Sequence, residues 1–265
     1  MIRVGIGGWT YEPWRGAFYP ADLKHADELA YASRHLTTIE INGTFYRTQS
    51  AASFAKWRDE TPEDFVFAVK GHRAIVNQKK LAEAGEAIDW FFKSGVLELG
   101  PKLGPLLWQF APFKKFDRED FAAFLSLLPR DDARLLMHVV EVRHESFLVP
   151  EFIDLLREQN VAVVYADSDD YPAIADVTAD FVYARLQRTE ETNATGYAPA
   201  DIERWAKDAR IWEGGSSPKE LTHISSKAAA KKKRPVFLYM IAGAKVRAPA
   251  AAMALIATLG ANQKS

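Results

Sequence analysis

The sequence predicts an α/β protein folded as one (β/α)8 barrel of the TIM type, a single domain. Three observations predict it. At 265 residues the chain suits one large domain, and α/β barrels commonly reach this size. Short β-branched or aromatic runs alternate with longer amphipathic segments eight times, a rhythm that implies a parallel sheet of the strand number that closes on itself. Charged residues come late in several of these strands, at the end where barrels of this kind build their sites.

The strands are read at Arg3–Gly7, Thr38–Asn42, Phe65–Lys70, Pro105–Phe110, Leu135–Arg143, Val161–Asp167, Phe181–Leu186 and Val236–Ile241. Most are followed by a helix-like segment. The second helix, near Ala51–Asp59, has Ser50 as its N-cap, because a serine hydroxyl accepts from the free N–H groups of a first turn. The fourth, near Arg118–Leu128, follows Asp117 and ends at Pro129. The fifth starts at Pro150 and buries Phe152, Leu155 and Leu156. The eighth starts near Pro249. The sixth unit is the weakest, since Tyr171-Pro172 leaves little room for a helix before Phe181. Residues 213–235, rich in Gly, Ser and Lys, break the rhythm and read as a polar, mobile surface excursion of the same domain.

Composition narrows the classes. Apolar residues make up 48% of the chain and charged ones 26%, with a net charge of −1, so no global attraction to nucleic acid or acidic membranes is built in. The absence of cysteine removes disulfides, thiolate metal sites and cysteine nucleophiles. The opening MIRVGIGGWTYEPW has no signal-peptide pattern, and no apolar run approaches the ~20 residues that span a bilayer. A cytoplasmic protein without a membrane partner is expected.

Barrel strands alternate inward and outward residues, so period 2 sorts the polar side chains. Thr38, Glu40 and Asn42 share one face, as do Ala68, Lys70 and His72; Glu141 and Arg143 share another. Gln109, Asp167 and Arg185 lie at or near strand ends. Scattered buried charges would each cost several kcal/mol, so Glu40, Glu141 and Asp167 are expected to converge with Lys70, Arg143 and Arg185. The bland counterpart is a salt-bridge plug in the barrel mouth.

Several motifs in fixed order carry a resemblance. They are Gly5-Ile6-Gly7-Gly8-Trp9-Thr10-Tyr11 with Trp14 and Phe18-Tyr19-Pro20, Glu40-Ile41-Asn42 with Thr44-Phe45-Tyr46-Arg47, and Phe67-Ala68-Val69-Lys70-Gly71-His72. Leu103-Gly104-Pro105, Gln109-Phe110, Glu141-Val142-Arg143-His144 and Ser146-Phe147 continue the set. Together they resemble the YecE-like family, the domain of unknown function 72, over about residues 3–210 and again near 236–258. The resemblance implies a TIM-type barrel and no particular reaction. The chain departs from the pattern at Tyr239-Met240-Ile241-Ala242-Gly243, where a polar residue is expected, at Ala184-Arg185-Leu186-Gln187, which lacks a His-Gly pair, and in the long 213–235 segment.

Candidate chemistries follow from residue types. Glu40 and Glu141 beside Lys70 and Arg143 suit general acid–base work, or else hold the cations in place. Retaining glycosidases of the common barrel type would need carboxylates at strands four and seven, where Gln109 and Arg185 stand. Schiff-base chemistry would need Lys70 with a lowered pKa, but nearby carboxylates are expected to raise it in an ion pair. No cofactor is required; a divalent metal is admitted at Asp167, Asp169 and Asp170, or at His72, His144, Glu40 and Glu141, without diagnostic spacing. His138 has the opposite parity to Glu141 and should face the helices. Arg185, Arg188, Lys245 and Arg247 follow strands seven and eight, where barrels often hold phosphate. Among the aromatics of the first two loops, Trp9 and Tyr46 are the ones expected to meet a ligand.

The leading expectation is an enzyme acting on a small polar or anionic, sugar- or nucleotide-like substrate. Glu40, Lys70, Glu141 and Arg143 stand nearest the chemistry, and Trp9, Asn42, Tyr46, His72, Gln109, His144, Asp167 and Arg185 contact the ligand. The alternative is a nucleic-acid-binding barrel or metal-dependent phosphodiester hydrolase with the basic loops as its phosphate track; the run Lys231-Lys232-Lys233-Arg234 could touch phosphate backbones but reads first as a solvated loop. A third is a non-catalytic scaffold with a vestigial site.

Overall fold

A computed structural model describes residues 1–130 and 136–261. Eight parallel strands close in chain order: β1 (Ile2–Gly7), β2 (Thr38–Ile41), β3 (Val66–Lys70), β4 (Leu103–Gln109), β5 (His138–Glu141), β6 (Ala162–Asp167), β7 (Val182–Leu186) and β8 (Val236–Met240). Helices α1 (Glu28–His35), α2 (Ala51–Glu60), α3 (Arg73–Val76), α4 (Gly85–Lys93), α5 (Arg118–Leu127), α6 (Pro150–Glu158), α7 (Pro199–Glu213) and α8 (Ala248–Ala261) surround them. The (β/α)8 architecture read from the alternation is the one observed.

Local signals act as their chemistry dictates. The Ser50 hydroxyl accepts from Ser53 N–H at 3.1 Å and starts α2. The Asp117 carboxylate accepts from Glu119 and Asp120 N–H, both at 3.1 Å, and starts α5. α6 opens on Pro150 and buries Phe152, Ile153, Leu155 and Leu156. No helix forms over residues 168–181, so the sixth unit is a bare loop.

Strand five is shorter than its β-branched run. It covers His138–Glu141 rather than Leu135–Arg143, and Leu135 lies outside the described residues. Its ladder to β6 has only the Val139↔Ala162 and Val140↔Val163 pairs, and Arg143 falls past the last of them. Propensity marks a run that can extend; a neighbouring strand decides how much of it pairs.

The barrel interior is filled by side chains of one parity. Ala68, Leu107, Val139 and Val164 face the larger Phe181, Tyr183, Phe237 and Tyr239, large residues from one side filling the space left by small ones. Thr38 Oγ1 lies 2.8 Å from Tyr239 Oη, which satisfies both hydroxyls in the dry centre. The second core lies between barrel and helices. Phe116, Phe121, Phe147 and Phe152 form one cluster there, with ring centroids 5.0 to 5.6 Å apart for the pairs Phe147–Phe152, Phe116–Phe147, Phe121–Phe147, Phe121–Phe152 and Phe116–Phe152. This cluster anchors the loop after β5, where Ser146 Oγ accepts from Phe116 N–H at 2.8 Å. His138 faces the same outer layer, as its parity predicts, and hydrogen-bonds the Pro129 carbonyl and the Trp108 indole.

The polar connection before β8 runs beside α6 and the loop leading to β7. The Asp176 carboxylate accepts from Ile224 and Ser225 N–H at 2.7 and 3.1 Å. Arg234 is buried, and its guanidinium donates to the carbonyls of Ala179, Gly215, Ala230 and Lys232. Arg234 therefore cannot contact a phosphate backbone as the basic run suggested, and Lys232 is paired with Asp180.

Candidate functional site

Period 2 carries five charged side chains to the C-terminal mouth. The register sets Gln109 beside Glu141 and Arg185 beside Tyr239, the last aromatic of the interior. Arg185, 3% exposed, is the hub: Nη1 donates to Glu141 Oε2 and Nη2 to Glu40 Oε1 at 3.1 Å. Tyr183 Oη donates to Glu40 Oε2 at 2.5 Å. Glu141 also accepts from Gln109 Nε2 at 2.9 Å and from Arg143 Nε at 2.8 Å. The Arg143 guanidinium lies 4.2 Å from the centre of the Tyr171 ring.

Electrostatics separates Glu141 from the lysine. Burial alone would raise the Glu141 carboxyl, but Arg185 and Arg143 outweigh it and hold the group at about 2. Glu141 is thus a fixed anion that orients two cations, poorly suited to accept a proton near neutrality. Burial would lower the Arg185 guanidinium, and Glu141 and Glu40 drive it upward instead.

Lys70 behaves otherwise. The residue is 8% exposed, and its ammonium lies 4.1 Å from the centre of the Phe45 ring. Among the described residues no carboxylate comes within ion-pair distance of it. Burial, then the like charge of Arg185, bring its pKa from 10.5 to about 8, against the pull of Glu40 and Glu141. The expectation of an ion-paired lysine with a raised pKa is corrected here. The cause is competition: Arg185, Arg143, Gln109 and Tyr183 occupy the carboxylate oxygens, which leaves Lys70 desolvated without a partner.

The Glu40–Arg185–Glu141 bridge joins β2, β7 and β5 and so divides the mouth. Lys70 and Gln109 lie on the arc from β2 to β5. On the arc from β7 through β8 and β1 to β2 lies a cavity of about 230 Å³, lined by Gly7, Asn42, Arg185, Met240 and Lys245 among others. Lys245 Nζ sits 4.3 Å from the Tyr11 ring centre, and Trp14 Nε1 donates to the Lys245 carbonyl at 2.9 Å. Of the four cations grouped at this end in the sequence, Arg185 and Lys245 line this cavity. Arg188 is taken by Asp167 and Asp169, and Arg247 by the Glu191 carbonyl.

Several expected contacts lie elsewhere. Asp167 shares the parity of Tyr165, which packs outward on Trp205 and Trp212; its partners are Arg188 and Tyr197, not the central network. Burial raises the Asp167 pKa despite Arg188. Trp9 packs edge-on against Trp57 and Phe67 on the helix side, 5.0 and 6.4 Å between centroids. His72 and His144 accept from Ala74 and Ser146 N–H, both at 3.1 Å, and so shape the turns after β3 and β5. Tyr46 stands at the rim, 68% exposed. Among the described residues no group of three His, Asp or Glu side chains forms a metal cradle; Asp167 and Asp169 share Arg188, and Glu40 and Glu141 share Arg185.

Three contributors escaped the sequence reading. Tyr183 shares a face with Arg185, so the same parity would have found it. Phe45 was legible only as an aromatic. Tyr171 sits in the irregular loop after β6, where no periodicity applies.

Known proteins resemble the chain along its length. It is 28% identical to UPF0759 protein YunF of Bacillus subtilis over 127 residues, 46% of this chain and 44% of that protein. It is 27% identical to UPF0759 protein YecE of Escherichia coli over 148 residues, 56% of this chain and 50% of that protein. The chain thus matches about half the length of these relatives. The crystal structure of a DUF72 family protein from Thermotoga maritima has a TM-score of 0.73 at 21% identity, covering 100% of both chains. One from Enterococcus faecalis gives 0.69 at 19%, covering 98% of this chain and 96% of that one. Both share the fold. The family model described as "Protein of unknown function DUF72" matches residues 3–265, and the chain belongs to that family.

Proposed function

We propose that the protein is an enzyme acting on a small anionic substrate at the C-terminal mouth, with Lys70 as the group that exchanges a proton with it. The observation that carries this is the charge census of the mouth. Lys70, Arg143 and Arg185 face Glu40 and Glu141, and the surplus cation is the one without a partner. Leaving an ammonium desolvated costs stability, and an arriving carboxylate or phosphate would offset that cost. A group that titrates near 8 suits acid–base catalysis at cellular pH. Glu141 and Glu40 position the guanidinium groups, and Gln109 and Asn42 offer amides to the polar part of the ligand.

The test is a thermal-shift screen of the full chain with phosphorylated and carboxylated small molecules, followed by turnover assays on the hits. Hits that stabilise the wild type and not Lys70→Met support the reading. A panel in which neutral sugars bind as well as anions, or Lys70→Met binds unchanged, overturns it.

A second reading, single-stranded nucleic acid across the same mouth, draws on the rim. Tyr46 and Phe113 are 68% and 74% exposed, with Arg73 beside the Tyr46 ring and Lys114 next in the chain to Phe113. Binding that weakens steeply with salt favours it; no binding at low salt removes it.

A further inference from the structure

We infer that the cavity between β7, β8, β1 and β2 is a phosphoryl-group subsite, separate from the reacting centre at Lys70. The inference rests on the anionic-substrate reading and adds where that charge sits.

The walls favour an anion. Arg185 and Lys245 line the cavity, and no Asp or Glu does. The Arg185 Nε–H is buried and has no hydrogen-bond partner, although both terminal nitrogens are satisfied by carboxylates. An orphaned donor on a side chain 3% exposed is costly, and this one belongs to a residue of the cavity wall. Lys245 Nζ touches only ring faces, 4.3 Å from Tyr11 and 5.5 Å from Trp14, and has no carboxylate within ion-pair distance among the described residues. Ala248, the first residue of the 14-residue α8, also lines the space.

The space admits a phosphoryl group. The cavity of about 230 Å³ holds far more than one water, whose share of liquid volume is ~30 Å³. Asn42 after β2, Arg185 of β7 and Lys245 just before α8 line it from three parts of the chain, which suits an anion with several acceptor oxygens. The turn that supports this is tightly held. Ala242 and Gly243 adopt successive left-handed conformations, at φ 66° and 56°, and Ala244 N–H donates to the Thr189 carbonyl at 2.8 Å. A Cβ at Gly243 would sit 2.7 Å from that carbonyl, so the backbone path admits little else. Because the Glu40–Arg185–Glu141 bridge stands between this cavity and Lys70, a substrate would reach over it, phosphate on one side and reacting atoms on the other.

Calorimetric titration of inorganic phosphate into the full chain at pH 7 tests this, with Lys245→Met, Lys245→Arg and Lys70→Met in parallel and melting curves to verify folding. Loss of one charge-assisted contact should weaken phosphate by about tenfold or more in Lys245→Met. Lys245→Arg, which keeps a cation at this position, should bind within about threefold of wild type. Equal affinity in Lys245→Met overturns the subsite. Loss in Lys70→Met alone also overturns it, moving the anion to the other half of the mouth while leaving the anionic-substrate reading intact. Absence of binding by phosphate and by every other anion defeats both.

Discussion

Lys70→Met should make the protein more stable while removing its function. Methionine keeps the unbranched shape and the contact with Phe45, and it leaves two cations against two carboxylates. The magnitude follows from linkage. In the unfolded chain the amine titrates near 10.5, and in the fold near 8, so the folded state releases the proton first. The folded protein therefore carries a penalty at pH 7 of about 3 kcal/mol at ~1.4 kcal/mol per tenfold, present below pH 8 and fading as pH rises toward 10.5. The cation–π contact with Phe45 offsets about 1 kcal/mol of it. A gain of about 2 kcal/mol remains, or roughly 4–8 °C in melting temperature for a chain of this size. Urea denaturation of both proteins at pH 7 and at pH 10.5 measures it. The gain should be present at pH 7 and nearly gone at pH 10.5. A loss above about 1 kcal/mol at pH 7, or a difference that ignores pH, would refute the reasoning, because either means that Lys70 is held by a partner.

Other consequences are simpler to read. Glu141 lies at about 2 when folded and near 4.5 when unfolded, so its contribution is full above pH 4.5 and is lost as pH falls toward 2. Acid denaturation monitored by circular dichroism should show that loss, and Glu141→Gln should flatten it and cost about 3–5 kcal/mol at pH 7 by leaving Arg185 and Arg143 undercompensated. Gly71→Ala would place a Cβ 2.4 Å from the Trp108 ring and should destabilise by about 1–3 kcal/mol in chemical denaturation. Arg234→Met strips the donors from four backbone carbonyls and should cost about 2–4 kcal/mol. It should also speed proteolytic cleavage within 213–235; an unchanged digestion pattern would mean that Arg234 does not hold the segment.

Much of this molecule was legible before coordinates. Alternating runs of period 2 and period 3.6 specify strands and helices, and eight such units specify closure, so the barrel followed from pattern alone. The same period put Glu40, Lys70, Glu141 and Arg185 on inward faces, where they lie. Position at a strand end does not by itself make a charge inward, and Asp167 is the instance: counted with the inward charges, it has the outward parity of Tyr165 and meets Arg188. The Lys70 correction has a different origin. Which cations occupy two carboxylates is a question of geometry, and residue types alone predict attraction without predicting who is left out. Trp9, His72 and His144 show the same limit, since packing and turn formation use residues that chemistry would also choose.

Direct observation of the Lys70 ammonium by NMR, on protein labelled with 13C and 15N at lysine, addresses the whole scheme. Titrated in the free protein, one lysine should lose its proton near pH 8, be absent in Lys70→Met, and shift toward 10.5 when a bound anion supplies the missing charge. If that resonance titrates near 10.5 with the mouth empty, Lys70 is already paired and the proposed reason for an anionic substrate is gone.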